Sequence, residues 1–587
     1  MNRRSFLNGS AAALGVAATG CTIPKDDLTS DQAACAEYPD KHAGDIFRVD
    51  VHCHIMNQED LNPAAFIVRR LLPPNVILDG AAGLATRSAL SVSALGTDTL
   101  AVERAKLGDF FAESLKPGPR AGFDAGAFCT FANEEQIGLF LAGNAESQKI
   151  VGSGRTTGFA SSRLRNAAVL MANWPEIDIF MPLMVDLYEG RRGGSGEHPC
   201  RQAEFYRDLN CATRGRFLPL VSYNPERQVL EGRDQCGITN LDLVKRAVDE
   251  WGFVGVKLHP TAGFNPIDNA LYGCPNTALQ LRTVLTEIEG RAYDRAMQDL
   301  YDFCESRDVP IITHGSDSLS AHEACMQGTP ERRAGREGYG DAFNRRFSPE
   351  REEQIRFRDP ATWTNAPAHW VRVLETRNQE RRLRVALAHY ASRFQDHSRG
   401  KLSPRLGGYS KDQPRVEYDD GKLVPSAWLE RAMAEIRKGG DGVWLDMSHL
   451  LELAYSAAIL KGEKIDRDGL FGSKVQDKGR YAKAFKQHLR DNDYLLKRIM
   501  YGSDHHMPEV SRFGRRYRDL IEDLVPEASR EDVMGGNAAR FFGLAVGRDG
   551  SKPQNRQRLE AFYERQGVAG QITWMDRMER RGIRADG

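Results

Sequence analysis

Five short apolar runs, spread from one end of this chain to the other, each stop at a histidine or an aspartate. The first is Phe47-Arg48-Val49-Asp50-Val51-His52-Cys53-His54. The others are Phe253–His259, Val309–His314, Leu383–His389 and Arg498–Asp504. Short runs dominated by Val, Ile and Leu read as buried strands. Residues two apart on a strand share a side, so His52 and His54 face the same way. One architecture explains a polar residue at the C-terminal end of so many buried strands. In a (β/α)8 barrel the active site lies at those ends, and its side chains come from several strands. The predicted fold class is therefore α/β: a (β/α)8 TIM barrel with long insertions in the strand-to-helix loops.

Eight strands can be placed, at 47–52, 177–185, 217–223, 253–258, 310–313, 384–388, 442–447 and 498–501. Between the third and fourth, Leu241 to Trp251 carries apolar residues at helical spacing. Alternating strand and helix units imply a parallel sheet. The barrel is expected over 46–545, with insertions at about 58–175, 316–380, 391–440 and 450–495. Loops after strands face the site in this fold, so the insertions are read as a lid that sets substrate choice, or as a packing or oligomer surface. Residues 22–45 read as a linker and 546–587 as a charged C-terminal extension.

The runs Val49-Asp50-Val51-His52-Cys53-His54, Gly255-Val256-Lys257-Leu258-His259-Pro260, Ala386-Leu387-Ala388-His389, Tyr501-Gly502-Ser503-Asp504 and Gly535–Leu544 together resemble the amidohydrolase superfamily. The resemblance is to its amidohydrolase-related branch, which holds hydrolases and nonoxidative decarboxylases. It implies that His52, His54, His314 and Asp504 bind one divalent metal. Such ligands suit zinc, and manganese, iron or cobalt are also accepted. It implies that Asp504 takes a proton from water and returns it to the leaving group, and that His389 orients the substrate or acts as the acid. His259 shares a strand face with Lys257 and reads as a substrate contact or a support to the ligands. Lys257 is read as structural, or as a carbamylated bridge between two metals. Asp446 and His449, in Leu445-Asp446-Met447-Ser448-His449, lie in the pocket or in the packing around it. Arg393 is a candidate clamp for a substrate carboxylate, or a surface arginine. His505 and His506 are assigned to a solvated loop.

The reaction read from these residues is hydrolysis of an amide, lactone or related C–N or C–O bond in a small molecule. The alternatives are nonoxidative decarboxylation of an aromatic or unsaturated acid, and a noncatalytic envelope lipoprotein on a barrel scaffold. The ligands do not separate the two reactions.

Charge excludes one class of partner. Lys plus Arg and Asp plus Glu both number 80, so no basic excess points to nucleic acid. The N-terminus has its own signature. Asn2-Arg3-Arg4-Ser5-Phe6-Leu7 fits a twin-arginine signal, and Ala18-Thr19-Gly20-Cys21 resembles a lipoprotein cleavage site. Residues 1–21 are thus read as an export signal to the periplasm or cell envelope, with a lipid on Cys21 as the membrane link. Ten cysteines contain no C-x-x-C pair, which argues against a cysteine zinc site. Cys200, Cys211 and Cys236 are disulfide candidates, and Cys53 reads as a packing residue pointing away from its flanking histidines. Oligomeric state is left open.

Overall fold

The computed structural model describes residues 46–57, 60, 99–105, 107, 163–164, 166–167, 170, 174, 176–186, 197–230, 232, 236–262, 264–272, 287–315, 367–377, 383–391, 417–419, 422–425, 427–439, 442–462, 479–505 and 516–586. The signal at 1–21, Cys21, the linker at 22–45, Arg393, His506 and most of the insertions lie outside these residues.

Among the described residues there are ten strands: β1 (Val49–Cys53), β2 (Ile179–Pro182), β3 (Leu220–Tyr223), β4 (Gly255–Leu258), β5 (Ile311–Thr313), β6 (Val385–Leu387), β7 (Glu417–Asp419), β8 (Lys422–Val424), β9 (Val443–Asp446) and β10 (Ile499–Met500). Strands β7 and β8 form a separate antiparallel hairpin in the insertion after β6. The other eight are the expected barrel strands; seven are trimmed by one to a few residues at their ends, and β1 starts later and runs on to Cys53. Their side chains are buried throughout. That is why they read as continuous apolar runs rather than as an alternation.

Six of them pair in parallel in the order β10-β9-β6-β5-β4-β3, and β1 pairs in parallel with β2. Backbone hydrogen bonds join these two pieces into a ring. The Leu218 amide donates to the Phe180 carbonyl at 2.9 Å, and the Met184 amide to the Leu220 carbonyl at 3.1 Å, linking β2 to β3. On the other side the Val51 amide donates to the Tyr501 carbonyl at 3.1 Å and the Asp504 amide to the His52 carbonyl at 2.6 Å. The chain is therefore a closed α/β TIM barrel. A buried carboxylate reinforces its last seam. Asp50 accepts from the Ser503 amide at 2.9 Å and the Ser503 hydroxyl at 2.6 Å.

Helices follow the strands as the pattern requires. Asn240–Glu250 is one of them; Thr239 caps it by accepting from the Asp242 amide at 3.1 Å. Register places Lys257, Ile312, Ala386 and Trp444 in one row across four neighbouring strands. Ile312, Ala386 and Trp444 share an apolar cluster with Phe541 and Phe542. Residues 546–586 supply two further helices, Gln554–Arg565 and Thr573–Arg580, that bury Leu559, Phe562, Trp574 and Met578 in the same cluster. Asn555 donates to the carbonyl of Val254, just before β4, and Arg577 pairs with Asp178, just before β2. These helices thus close the end where the strands begin and leave the other end for chemistry.

Candidate metal centre

The open end is built where strands stop and the backbone turns sharply. His389, Tyr390 and Ala391 after β6, His449 after β9 and Asp504 after β10 all have left-handed backbones, with φ between 48° and 59°. None of them is glycine, so each conformation costs about 1–3 kcal/mol and persists only because surrounding bonds impose it. For His389 two of those bonds are visible: its amide donates to Asp446 at 3.0 Å and to the Ser448 hydroxyl at 3.3 Å.

His52 and His54 meet Asp504 at the seam. The Nε2 atoms of His52 and His54 lie 3.5 and 3.4 Å from Asp504 Oδ1. The ligand atoms of these three buried residues all fall within 4.8 Å of one another. The opposite ring nitrogens are already engaged. His52 Nδ1 meets Asp446 Oδ2 at 2.9 Å, and His54 Nδ1 meets the Leu183 carbonyl at 3.0 Å. Both partners are acceptors, so each Nδ1 carries the hydrogen and each Nε2 keeps its lone pair toward Asp504. This is the arrangement metal-binding histidines show, with a carboxylate or carbonyl fixing the tautomer from behind. Two neutral imidazoles and a carboxylate fit a divalent cation of the zinc or manganese type.

Electrostatics agree with that fit. Burial lowers the pKa of His52, His259 and His314 and brings His389 to about 3. These rings are therefore neutral, as ligands must be. For Asp504 burial alone would raise the pKa. The surrounding imidazoles of His449, His54, His52 and His389 outweigh it, and the carboxyl is held well below its usual range. Asp446 behaves likewise, with His52 and Ser448 overcoming burial. Lys257 is fully buried with an Nζ that has no hydrogen-bond partner among the described residues, and burial lowers its pKa to about 8.

The other expected site residues fall as follows. His449 Nδ1 lies 3.3 Å from Asp504 Oδ2, so it shares the carboxylate with the pair His52 and His54. His389 packs its ring 5.1 Å from that of His52. His314 is not in the three-residue group. Its Nδ1 faces His389 Nε2 at 3.1 Å, and the two rings meet edge to face at 4.6 Å. His259 follows β4, where burial and then the nearby Lys257 lower its pKa. His505 requires a correction. It is not on a solvated loop but 1 % exposed, edge-on to Trp174 at 5.4 Å. The reason is that the β10–β1 seam continues past Asp504. Cys53 bridges to His505, and the His54 amide donates to the His505 carbonyl at 2.9 Å.

Sequence reading missed the supports. Ser448 Oγ sits 3.1 Å from His52 Nδ1 and 3.0 Å from His389 Nδ1, and bonds Asp446 as well. One hydroxyl thus touches three site side chains. Asp50 was passed over as part of the strand, and its spacing two residues before His52 was the available signal. Leu183 acts through its carbonyl, which no side-chain pattern reveals.

No family model and no curated protein matches the chain. Solved structures do. One is a putative amidohydrolase from Staphylococcus aureus: 11% identity, 65% of this chain and 91% of that chain, TM-score 0.31. Another is a 5-carboxyvanillate decarboxylase from Novosphingobium aromaticivorans, solved with bound manganese: 12% identity, 70% of this chain and 93% of that chain, TM-score 0.33. A third is a 4-oxalomesaconate hydratase from Rhodopseudomonas palustris: 11% identity, 89% of this chain and 99% of that chain, TM-score 0.32.

Proposed function

We propose that this chain is a metal-dependent hydrolase that cleaves a C–N or C–O bond, such as an amide or lactone, in a small molecule. One observation carries the reading. Two histidine Nε2 lone pairs and the Asp504 carboxylate, drawn from opposite ends of the chain, converge at the open end of a barrel. A divalent ion held there supplies Lewis acidity, acidifying water and polarising the substrate oxygen. Asp504 is the proton acceptor. Its Oδ2 faces His449 Nδ1, which holds the carboxylate while Oδ1 faces the two ligands. The proton then passes from Asp504 to the leaving group. His389, locked between Asp446, Ser448 and His314, orients the substrate. His314 completes the ligand set or orients His389 through its Nδ1. Lys257 supports the ligands from within the barrel, and His259 and His449 contact the substrate at the rim.

The chain is further proposed to leave the cytoplasm through the twin-arginine signal, with Cys21 as the lipid-bearing residue. The disulfide between Cys200 and Cys236 supports an oxidising destination.

Metal content by mass spectrometry on native protein and on His52→Ala and Asp504→Ala variants tests the centre. One metal per chain, lost in the His52→Ala protein, is expected. Two would bring Lys257 in as a bridge, and none after reconstitution would overturn the reading. Screening the loaded enzyme then separates the reactions. Net consumption of water marks hydrolysis, whereas carbon dioxide released without it marks decarboxylation.

A further inference from the structure

Behind the converging side chains runs a line of hydrogen bonds whose direction the donors and acceptors fix. It starts at Asp446. Oδ1 of this carboxylate accepts from two backbone amides, those of His389 and Ser448, each at 3.0 Å. An amide only donates, so Oδ1 is an acceptor, and the Ser448 hydroxyl that touches it spends its hydrogen there. Ser448 Oγ is left with lone pairs alone. The other atoms around it agree: the His389 amide at 3.3 Å and His52 Nδ1 at 3.1 Å both carry hydrogens toward it.

The next member is His389. Its Nδ1 lies 3.0 Å from Ser448 Oγ and 3.4 Å from the Ser448 carbonyl. Both oxygens accept, so the one ring hydrogen of the neutral imidazole sits on Nδ1. Nε2 of His389 is then a lone pair, and it faces His314 Nδ1 at 3.1 Å. That contact is a hydrogen bond only when His314 carries its own hydrogen on Nδ1, which leaves a lone pair on His314 Nε2. The sheet order β9-β6-β5 makes the three side chains neighbours, since Ser448 follows β9, His389 follows β6 and His314 follows β5.

We propose that Ser448 is a positioning residue whose hydroxyl, committed to Asp446, sets the tautomer of His389 and, through His389, that of His314. The proposal rests on the metal-centre reading above and deepens it in two ways. First, His389 is no acid. Its single ring hydrogen is held by Ser448, so none is left for a leaving group, and that step falls to Asp504. His389 orients the substrate by the shape and place of its ring. Second, one carboxylate governs two imidazoles by separate routes. Asp446 Oδ2 acts on His52 directly, at 2.9 Å. Asp446 Oδ1 acts on His314 through a hydroxyl and a second ring. A buried carboxylate, hydroxyl and imidazole in series polarise one another, which makes the tautomers of His389 and His314 shift as a unit.

Nitrogen-15 NMR of the ring nitrogens tests this on the full chain, labelled at histidine and stripped of metal. The signals are assigned by their loss in His314→Ala and His389→Ala proteins. A hydrogen on Nδ1 of both rings is expected in the native chain, and a hydrogen on Nε2 of either overturns the proposal. In Ser448→Ala the nearer acceptor for His389 Nδ1 is gone. Both rings are then expected to shift together toward the Nε2–H form, while His52, still held by Asp446 Oδ2, keeps its native signal. A folded Ser448→Ala protein in which His389 and His314 keep their native tautomers overturns the role of the hydroxyl. So does a shift of His389 that leaves His314 unmoved. A purely structural serine would move none of these signals selectively. The readout needs neither metal nor turnover, so the two readings fail separately. A chain that shows these tautomers yet takes up no metal overturns the hydrolase reading alone, whereas a metal-binding chain with a hydrogen on His389 Nε2 overturns only the role of Ser448.

Discussion

Replacing Asp446 by asparagine isolates what a residue behind the ligands contributes. Asp446 Oδ2 accepts from His52 Nδ1 at 2.9 Å. Its Oδ1 accepts from the amides of His389 and Ser448, each at 3.0 Å, and from the Ser448 hydroxyl. Asparagine keeps an oxygen for the second group, so the turns after β6 and β9 survive. It places an NH2 donor against His52 Nδ1. The imidazole then shifts its hydrogen to Nε2, which points at Asp504 Oδ1 only 3.5 Å away, and the lone pair a metal needs is lost. Removing such a support costs about 10- to 100-fold in metal affinity. That is roughly 1.4–2.7 kcal/mol. Competition of the metal-free protein against a chromophoric zinc chelator measures the dissociation constant, with His52→Ala as the reference for full loss and circular dichroism as the check on folding. A variant that folds and binds zinc as tightly as native protein would falsify the tautomer argument.

Other substitutions probe the frame. Gly502→Ala would put a Cβ 2.8 Å from that of His52 and 3.2 Å from that of Ser448. A loss of about 1–3 kcal/mol in urea unfolding is expected, with weaker zinc binding in the same chelator assay. Arg163 is fully buried between Asp60 and Glu103. Arg163→Met strands two buried carboxylates and is expected to cost about 3–5 kcal/mol, read as a lowered denaturation midpoint. His488, at the end of the helix Arg480–Asp491, has its pKa lowered to about 4 by burial. The unfolded chain therefore binds its proton first, so stability is full above about pH 6.5 and falls toward pH 4, by up to about 3 kcal/mol. His488→Gln is expected to flatten that part of the pH–stability profile, and an unchanged slope would refute the assignment.

The barrel was readable because its strands are buried on both faces and end in polar residues, a pattern short enough to survive in a one-dimensional string. The pairing of those ends was not. Asp446 and His52 stand 394 residues apart, and nothing in Leu445-Asp446-Met447-Ser448-His449 tells which residue looks inward. The left-handed turns at His389, His449 and Asp504 defeat simple strand alternation, because after such a turn the side chain no longer follows the pleat. His505 shows the same limit. A residue beside an aspartate at a strand end looks like loop, yet the seam carries on through it. His314 was placed by its strand end and the resemblance, and its contact with His389 depends on ring orientation. Ser448 and the Leu183 carbonyl left no trace, since hydroxyls and carbonyls are everywhere.

The Asp50–Ser503 seam has a consequence for the newborn chain. Asp50 must wait for a serine 453 residues downstream, and His52 and His54 wait equally long for Asp504. On the ribosome β1 therefore spends nearly the whole of synthesis without its second neighbour, and a chain cut short anywhere before residue 503 can neither close the ring nor assemble the three converging side chains. Metal capture by those side chains would report that translation has run through the last strand.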